Sequence, residues 1–138
     1  MSYHQIMNKE VEAKYKSYPP MVKKEMLALR KIILEIANKD KDIDFTEEAL
    51  KWGEPSFMTK SSGSTLRINW QEKFPESISV FVNCQTKLIS MFKELYPSDF
   101  EYVGSRELRL PLKGKYSKFK LKKCFELALK YNLVKDSF

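Results

Sequence analysis

The chain has 138 residues, of which 43% are hydrophobic and 13% aromatic, with four Gly and six Pro. This composition excludes a disordered or fibrous protein and is typical of a single globular domain over residues 1–138. No apolar run approaches the ~18 residues of a membrane helix, and residues 1–10 lack a secretory pattern, so a cytoplasmic protein without membrane contact is expected.

The net charge of +7 is concentrated near the C-terminal end. Residues 1–105 hold 15 Lys or Arg and 15 Asp or Glu, whereas residues 106–138 hold ten basic and three acidic residues. Such asymmetry suits either an anionic partner or a lysine-rich face in water.

Two helices are predicted in the first third of the chain. Residues 8–18 carry Val11 and Tyr15 on one helical face, and Pro19-Pro20 ends that helix. A longer, core-facing helix starts at Pro20. Its apolar residues recur at three- and four-residue spacing as Met26, Leu29, Ile33, Ile36 and Ala37.

The middle of the chain changes to strand periodicity. Residues 45–50 fit either a short helix or the start of a strand. Residues 66–70 alternate apolar and polar side chains, and residues 78–82 are β-branched and aromatic, which predicts a hairpin between them. A second hairpin is predicted from residues 101–103 and 107–110.

Two further helices complete the pattern. Residues 86–95 show helical spacing and end before Pro97. The closing helix is capped by Ser117, and its apolar stripe consists of Leu121, Cys124, Phe125, Ala128 and Leu129. Helices before and after a block of short strands predict an α+β fold, in which N-terminal and C-terminal helices pack on one face of an antiparallel sheet.

Residue types that commonly perform catalysis are sparse. His4 is the single histidine and lies close to the start of the chain, so no serine or cysteine nucleophile has an evident base. The four glycines lack the spacing of nucleotide-binding loops. A non-enzymatic binding or accessory domain is therefore expected. Cys84 and Cys124 have no metal-ligand spacing and are predicted to be reduced and buried.

An acidic cluster follows the second predicted helix. Three aspartates alternate there like the start of a calcium loop, but Phe45 and Lys51 stand where that loop needs glycine and a bidentate carboxylate. The cluster fits either a solvated connection or a weak divalent-cation site built from oxygen ligands. Its members are Asp40, Asp42, Asp44, Glu47 and Glu48.

Lysines crowd the start of the closing helix, where the helix dipole disfavours cations. With the free backbone N–H groups they would attract phosphate, an acidic protein or nucleic acid. Nucleic acid is the less expected partner, because only Tyr116 is placed for base stacking. The candidate anion site comprises Lys113, Lys115, Lys118 and Lys122, beside Lys120 and Lys123.

The densest unusual stretch runs from Lys51 to Phe57, and residues 67–70 and 106–109 add further planar and cationic groups. These side chains would suit a pocket for a small anionic or planar ligand or a partner peptide, although the aromatic ones would equally suit a core. The candidate ligand-binding residues are Trp52, Pro55, Phe57, Arg67, Trp70 and Arg106.

The same stretch carries a resemblance to a known family. The matching residues are Glu48-Ala49-Leu50-Lys51-Trp52-Gly53-x-Pro55-x-Phe57, Leu66-Arg67-Ile68-x-Trp70, Thr86-Lys87-Leu88, Phe92-Lys93-Glu94-Leu95-Tyr96-Pro97, Gly104-x-Arg106 and the closing helix from Cys124 to Tyr131. Over nearly its whole length the chain resembles the YdhG-like superfamily of small bacterial domains of unknown function. The resemblance implies a frataxin-like α+β sandwich.

One branch of that superfamily, found in bacilli, is regarded as a frataxin-like iron chaperone. The resemblance therefore implies iron carriage as an alternative function, with the acidic cluster as the nearest equivalent of the carboxylate ridge. Ligand or peptide binding near Trp52 is the leading expectation. Anion or nucleic-acid binding by the lysines is the third.

Overall fold

A computed structural model describes residues 7–137 of the chain. Its helices are α1 Lys9–Ser17, α2 Pro20–Lys39, α3 Leu88–Leu95, α4 Lys118–Leu129 and α5 Tyr131–Val134, with a 3-10 turn at Lys135–Ser137. Its strands are β1 Phe45–Lys51, β2 Glu54–Thr59, β3 Leu66–Asn69, β4 Ser77–Phe81, β5 Glu101–Val103 and β6 Glu107–Pro111.

The six strands form one antiparallel sheet in the order β1-β2-β3-β4-β6-β5. In its centre Phe57 pairs with Leu66, Ile68 with Val80, and Val80 with Leu108. Because side chains alternate between the two faces of a strand, these buried apolar residues share one face. That face is the floor of the core.

Helices α1, α2 and α4 pack on the apolar face of the sheet. Every residue of the two predicted helical stripes is buried there, and they join the strand residues in one hydrophobic core. The predicted α+β architecture, with N-terminal and C-terminal helices on one face of an antiparallel sheet, is confirmed. Within residues 7–137, no helix has both the length and the apolar character needed to cross a bilayer.

The opposite face of the sheet carries polar and charged side chains. Ser56 pairs with Arg67, Arg67 with Phe81, and Phe81 with Glu107, so these residues form a row across the strands. Arg109 lies two positions beyond Glu107 on the same side of β6. We call this surface, with Ser56, Arg67, Phe81, Glu107 and Arg109, the open face.

The first hairpin of the sheet, β1–β2, is only partly visible in the sequence. Residues 45–50 are ambiguous because Glu, Ala, Leu and Lys favour helix locally. The second strand, Glu54–Thr59, was not predicted, because it contains Pro55 and its residues were interpreted as part of a ligand pocket. In the structure residues 45–51 form a strand because β1 pairs with β2, with Lys51 opposite Glu54 at the turn. Cross-strand contacts thus outweigh local propensity here.

The β2–β3 loop closes against the end of α4. The backbone N–H of Ser64 donates to the Ala128 carbonyl at 2.9 Å, and the Ser62 hydroxyl donates to the Leu129 carbonyl at 3.0 Å. These bonds satisfy carbonyl groups that a helix end leaves without partners. At Gly63 the two backbones are so close that an added methyl group would overlap the carbonyl groups of Ala128 and Leu129.

We expect Gly63→Ala to lower the free energy of unfolding by about 1–3 kcal/mol, because the loop must move away from α4 to accommodate the methyl group. Urea denaturation followed by circular dichroism measures the change. Ser64→Ala in the same loop is the control and should stay within about 0.5 kcal/mol of the parent. Equal effects of the two substitutions would contradict the close approach.

Candidate functional site

The turn between β1 and β2 presents Trp52 to solvent on an unusual backbone. Trp52 has a φ of 57° and Gly53 a φ of 75°, as a two-residue type I′ hairpin turn requires. Glycine tolerates this conformation, but for a bulky residue it costs roughly 1 kcal/mol. The Trp52 side chain is 89% exposed, so burial within the domain does not compensate for the cost.

A cavity of about 830 Å³ opens beside this turn on the open face. Three parts of the chain enclose it: the β1–β2 hairpin, the β3–β4 connection, and the two segments that flank β4 and β6. The lining residues are Lys51, Trp52, Glu54, Thr65, Arg67, Gln71, Lys73, Phe74, Phe81, Val82, Asn83, Cys84, Arg106 and Glu107. The volume falls in the range of small-molecule sites.

Both carboxylates in the lining are engaged by arginines of the sheet. Arg67 Nε donates to Glu54 Oε1 at 3.0 Å, with both side chains largely buried. Glu107 Oε2 accepts from Arg109 Nε and from the Ser79 hydroxyl, each at 2.7 Å. The floor of the cavity is therefore an interlocked, charge-compensated layer.

The rim of the cavity carries cations whose charge is not compensated. Among residues 7–137, Lys51, Lys73 and Arg106 have no ion-pair partner. Lys73 Nζ lies 5.4 Å from the centre of the Phe74 ring, and the Arg109 guanidinium lies 4.2 Å from it. The rim thus combines positive charge with exposed aromatic surface.

The structure brings three of the six predicted ligand-binding residues to this cavity. Trp52, Arg67 and Arg106 line it. Pro55 and Phe57 are buried in β2, and Phe57 belongs to the core. Trp70 packs against the core and donates its indole N–H to the Pro75 carbonyl at 3.0 Å. The structure therefore does not bring Pro55, Phe57 and Trp70 to this cavity.

The sequence interpretation missed Phe74, Phe81, Lys73 and Cys84 as lining residues. Phe81 could have been found, because it alternates with the core residues Val80 and Val82 and must point to the open face. Phe74 and Lys73 lie in a connection whose path the sequence does not reveal.

The acidic cluster is dispersed in the structure. Asp44 accepts hydrogen bonds from the Ser61 and Ser62 backbone N–H groups at 2.9 and 2.8 Å, and hydrogen bonding with Ser62 and Ser61 holds the pKa of Asp44 well below its usual range. Asp40 and Asp42 face Lys130 Nζ at 3.0 and 3.9 Å. In the described part of the chain, no three potential metal ligands lie together. Iron binding stays a prediction from the resemblance.

Glu48, the fifth predicted metal ligand, is part of a buried ion pair. Both of its carboxylate oxygens lie 2.9 Å from Arg30 Nε, and the Tyr15 hydroxyl donates to it at 3.2 Å. The side chains of Arg30 and Glu48 are only 5% and 7% exposed. Burial, with Glu48 adding to it, raises the pKa of the Tyr15 hydroxyl. Glu48 therefore anchors α1 and α2 to β1.

We expect Glu48→Ala to lower the free energy of unfolding by about 3–5 kcal/mol, because the guanidinium of Arg30 would lose its buried counter-charge. Glu47→Ala, one position along β1 and exposed, should change it by less than about 0.5 kcal/mol. Thermal and urea unfolding of both variants provide the comparison. Similar losses in the two variants would show that the ion pair is not the cause.

The candidate anion site is also divided. Lys113, Lys115 and Lys118 line a groove next to the start of α2, whereas Lys122 faces a different depression together with Lys39 and Glu126. Lys120 pairs with Asp99 at 2.7 Å and Lys123 with Glu126 at 3.7 Å. The lysines that are clustered in the sequence therefore lie in three separate environments in the structure.

The two cysteines differ, and the prediction that both are buried was wrong for one of them. Cys84 is exposed and lines the cavity. Cys124 is buried in the core stripe of α4, and burial raises the pKa of its thiol to about 12.

We expect one thiol per native chain to react with Ellman's reagent at pH 8 and two after denaturation, because Cys84 is exposed, whereas Cys124 is buried and burial raises the pKa of its thiol. The Cys84→Ser variant should show no rapid reaction until it is unfolded. Rapid reaction of a thiol in native Cys84→Ser would contradict the burial of Cys124.

Comparison with known proteins identifies a solved structure of the same fold. No protein-family model and no curated protein matches the chain. The crystal structure of YdhG from Bacillus subtilis, a protein of the DUF1801 family, superposes with a TM-score of 0.62 at 15% sequence identity, covering 91% of this chain and 90% of that one. The resemblance drawn from the sequence is thereby confirmed for its α+β fold, and the chain adopts the fold of the DUF1801 protein YdhG.

Proposed function

We propose that the chain is a non-enzymatic binding domain that holds a small anionic ligand with a planar group in the cavity beside Trp52. The observation that carries this proposal is a large aromatic side chain, 89% exposed, held on a strained turn at the rim of an 830 Å³ cavity. Strain that the fold itself does not require is commonly retained at binding sites.

The charge of the rim supports an anionic ligand. Lys51, Lys73 and Arg106 lack ion-pair partners among the described residues, and the nearby carboxylates of Glu54 and Glu107 are already engaged by arginines. An incoming carboxylate, phosphate or sulfonate would therefore meet uncompensated cations and form charge-assisted hydrogen bonds.

The aromatic residues support a planar group in that ligand. Trp52 and Phe74 are both exposed and both line the cavity. A planar ring stacked on an indole face gains contact area at little conformational cost, since the indole has only two side-chain torsions. A cavity of about 830 Å³ lies within the size range of small-molecule sites.

The lining also supports a role without catalysis. Among the described residues that line the cavity, one carries a thiol, Cys84. The carboxylates that would otherwise act as bases are held by Arg67 and Arg109 at 3.0 and 2.7 Å. A nucleophile without a nearby base is poorly activated.

We expect Trp52→Asn to separate binding from folding. Asparagine suits the left-handed position better than tryptophan, so the free energy of unfolding should stay the same or rise by up to about 1 kcal/mol. Naphthalene-2-sulfonate, a planar anion, should bind the parent protein measurably in calorimetry and slow the labelling of Cys84. Trp52→Asn and Arg106→Gln should each weaken that binding at least about tenfold, the loss expected for a stacking or charge-assisted contact.

Two controls sharpen this test. Naphthalene-2-methanol has the same ring without the charge and should bind more weakly than the sulfonate. Lys60→Gln removes an exposed lysine outside the cavity and should leave sulfonate binding unchanged. Sulfonate binding that is indifferent to both Trp52→Asn and Arg106→Gln, or absent from the parent, would refute the proposal.

A further inference from the structure

A second depression lies away from the Trp52 cavity, between the first turn of α2 and the connection from β6 to α4. Its volume is about 880 Å³. We call it the basic groove, and its principal residues are Met21, Lys24, Leu112, Lys113, Lys115 and Lys118.

The floor of the basic groove is apolar. Met21 is 49% exposed there, although it sits in a helix whose other large apolar residues face the core. Leu112 and Tyr116 pack against the core and also line the groove. Burial raises the pKa of the Tyr116 hydroxyl, so this ring adds no negative charge at neutral pH.

The loop that carries the groove lysines is folded tightly. A side chain at Gly114 would approach the Pro111 ring within 2.7 Å, so the backbone at Gly114 lies directly against that ring. Lys113 and Lys115 flank this contact and are both exposed. The contact fixes the backbone from which the two cations extend.

In the described part of the chain, the lysines of the groove form no ion pair, unlike two of the lysines on the adjoining helix α4. Lys120 and Lys123 of α4 pair with Asp99 and Glu126. Within residues 7–137, the groove lysines Lys24, Lys113, Lys115 and Lys118 form no ion pair, and Glu25 is the one carboxylate in the lining. Clustered like charges repel one another, so this arrangement favours an anionic partner.

We infer that the basic groove binds an acidic peptide segment of another protein, with an apolar side chain on the floor and flanking carboxylates on the lysines. An apolar floor ringed by one sign of charge is complementary to alternating acidic and apolar residues. Nucleic acid fits less well, because Tyr116, the aromatic side chain that lines the groove, is partly buried. A membrane surface fits less well, because Leu112 and Tyr116 are partly buried and pack against the core.

The test uses a fluorescein-labelled acidic peptide with a central Leu-Phe pair, the same peptide with Ser-Ser in its place, and fluorescence anisotropy with the full chain. We expect the Leu-Phe peptide to bind at low salt at least about tenfold more tightly than the Ser-Ser peptide. Lys113→Glu combined with Lys115→Glu should reduce its affinity at least about tenfold. The milder pair, Lys113→Gln with Lys115→Gln, should also reduce the affinity for the peptide. It replaces the Glu pair if that variant folds poorly.

A charge-matched control distinguishes a groove from general attraction. Lys31→Glu with Lys60→Glu changes net charge equally at exposed lysines outside the groove and should alter affinity less than about threefold. Trp52→Asn should not alter it, so this inference is independent of the ligand cavity. Equal losses in the two charge-reversed pairs, equal binding of the two peptides, or no binding at low salt would each overturn it. So would binding of single-stranded DNA or phosphatidylserine vesicles that the peptide fails to displace.

Discussion

The two-residue alternation of the central strands controls the rest of this structure. Ile68, Val80 and Leu108 face the helices. Their neighbours in sequence, Arg67, Phe81 and Glu107, therefore face the opposite side of the sheet. A shift of one residue in any pairing would bury charge beneath α2 and α4 and expose the core. The same register that builds the core therefore also builds the floor of the cavity.

The charged floor of the cavity is stable because it is paired internally. Arg67 with Glu54, and Arg109 with Glu107, are ion pairs between side chains that are each no more than 20% exposed. Partly buried charges of this kind destabilise a fold unless their partners are well placed. Tyr18 continues the network, since its hydroxyl donates to Asn69 Oδ1 at 2.6 Å and the Asn69 amide reaches Glu54 Oε2 at 3.4 Å. The end of α1 is thus connected to the floor of the cavity through three side chains.

Long periodic elements could be predicted from the sequence, and elements held by cross-strand pairing could not. Helix α2 and the stripe of α4 follow from their apolar spacing, and the β3–β4 and β5–β6 hairpins from alternation and turn residues. The β1–β2 hairpin has a helix-prone first strand and a tryptophan in place of the usual turn residues, so its local signals conflict. The site was predicted in part, because residue type alone does not distinguish the exposed Trp52 from Trp70, which packs against the core.

The junction between the β2–β3 loop and α4 determines when the fold can be completed. The Ser62 hydroxyl and the Leu129 carbonyl are 67 positions apart in the chain, and the Asn132 amide reaches the Ser61 carbonyl across 71. Contacts between such distant residues form late, since a large entropy of chain closure must first be overcome. During synthesis, the loop at residues 61–64 waits for nearly the entire second half of the chain before it acquires these partners. The hydrogen bonds that Asp44 accepts from Ser61 and Ser62 span only 17 and 18 positions. These bonds can therefore order the loop before the end of α4 is available to bind it.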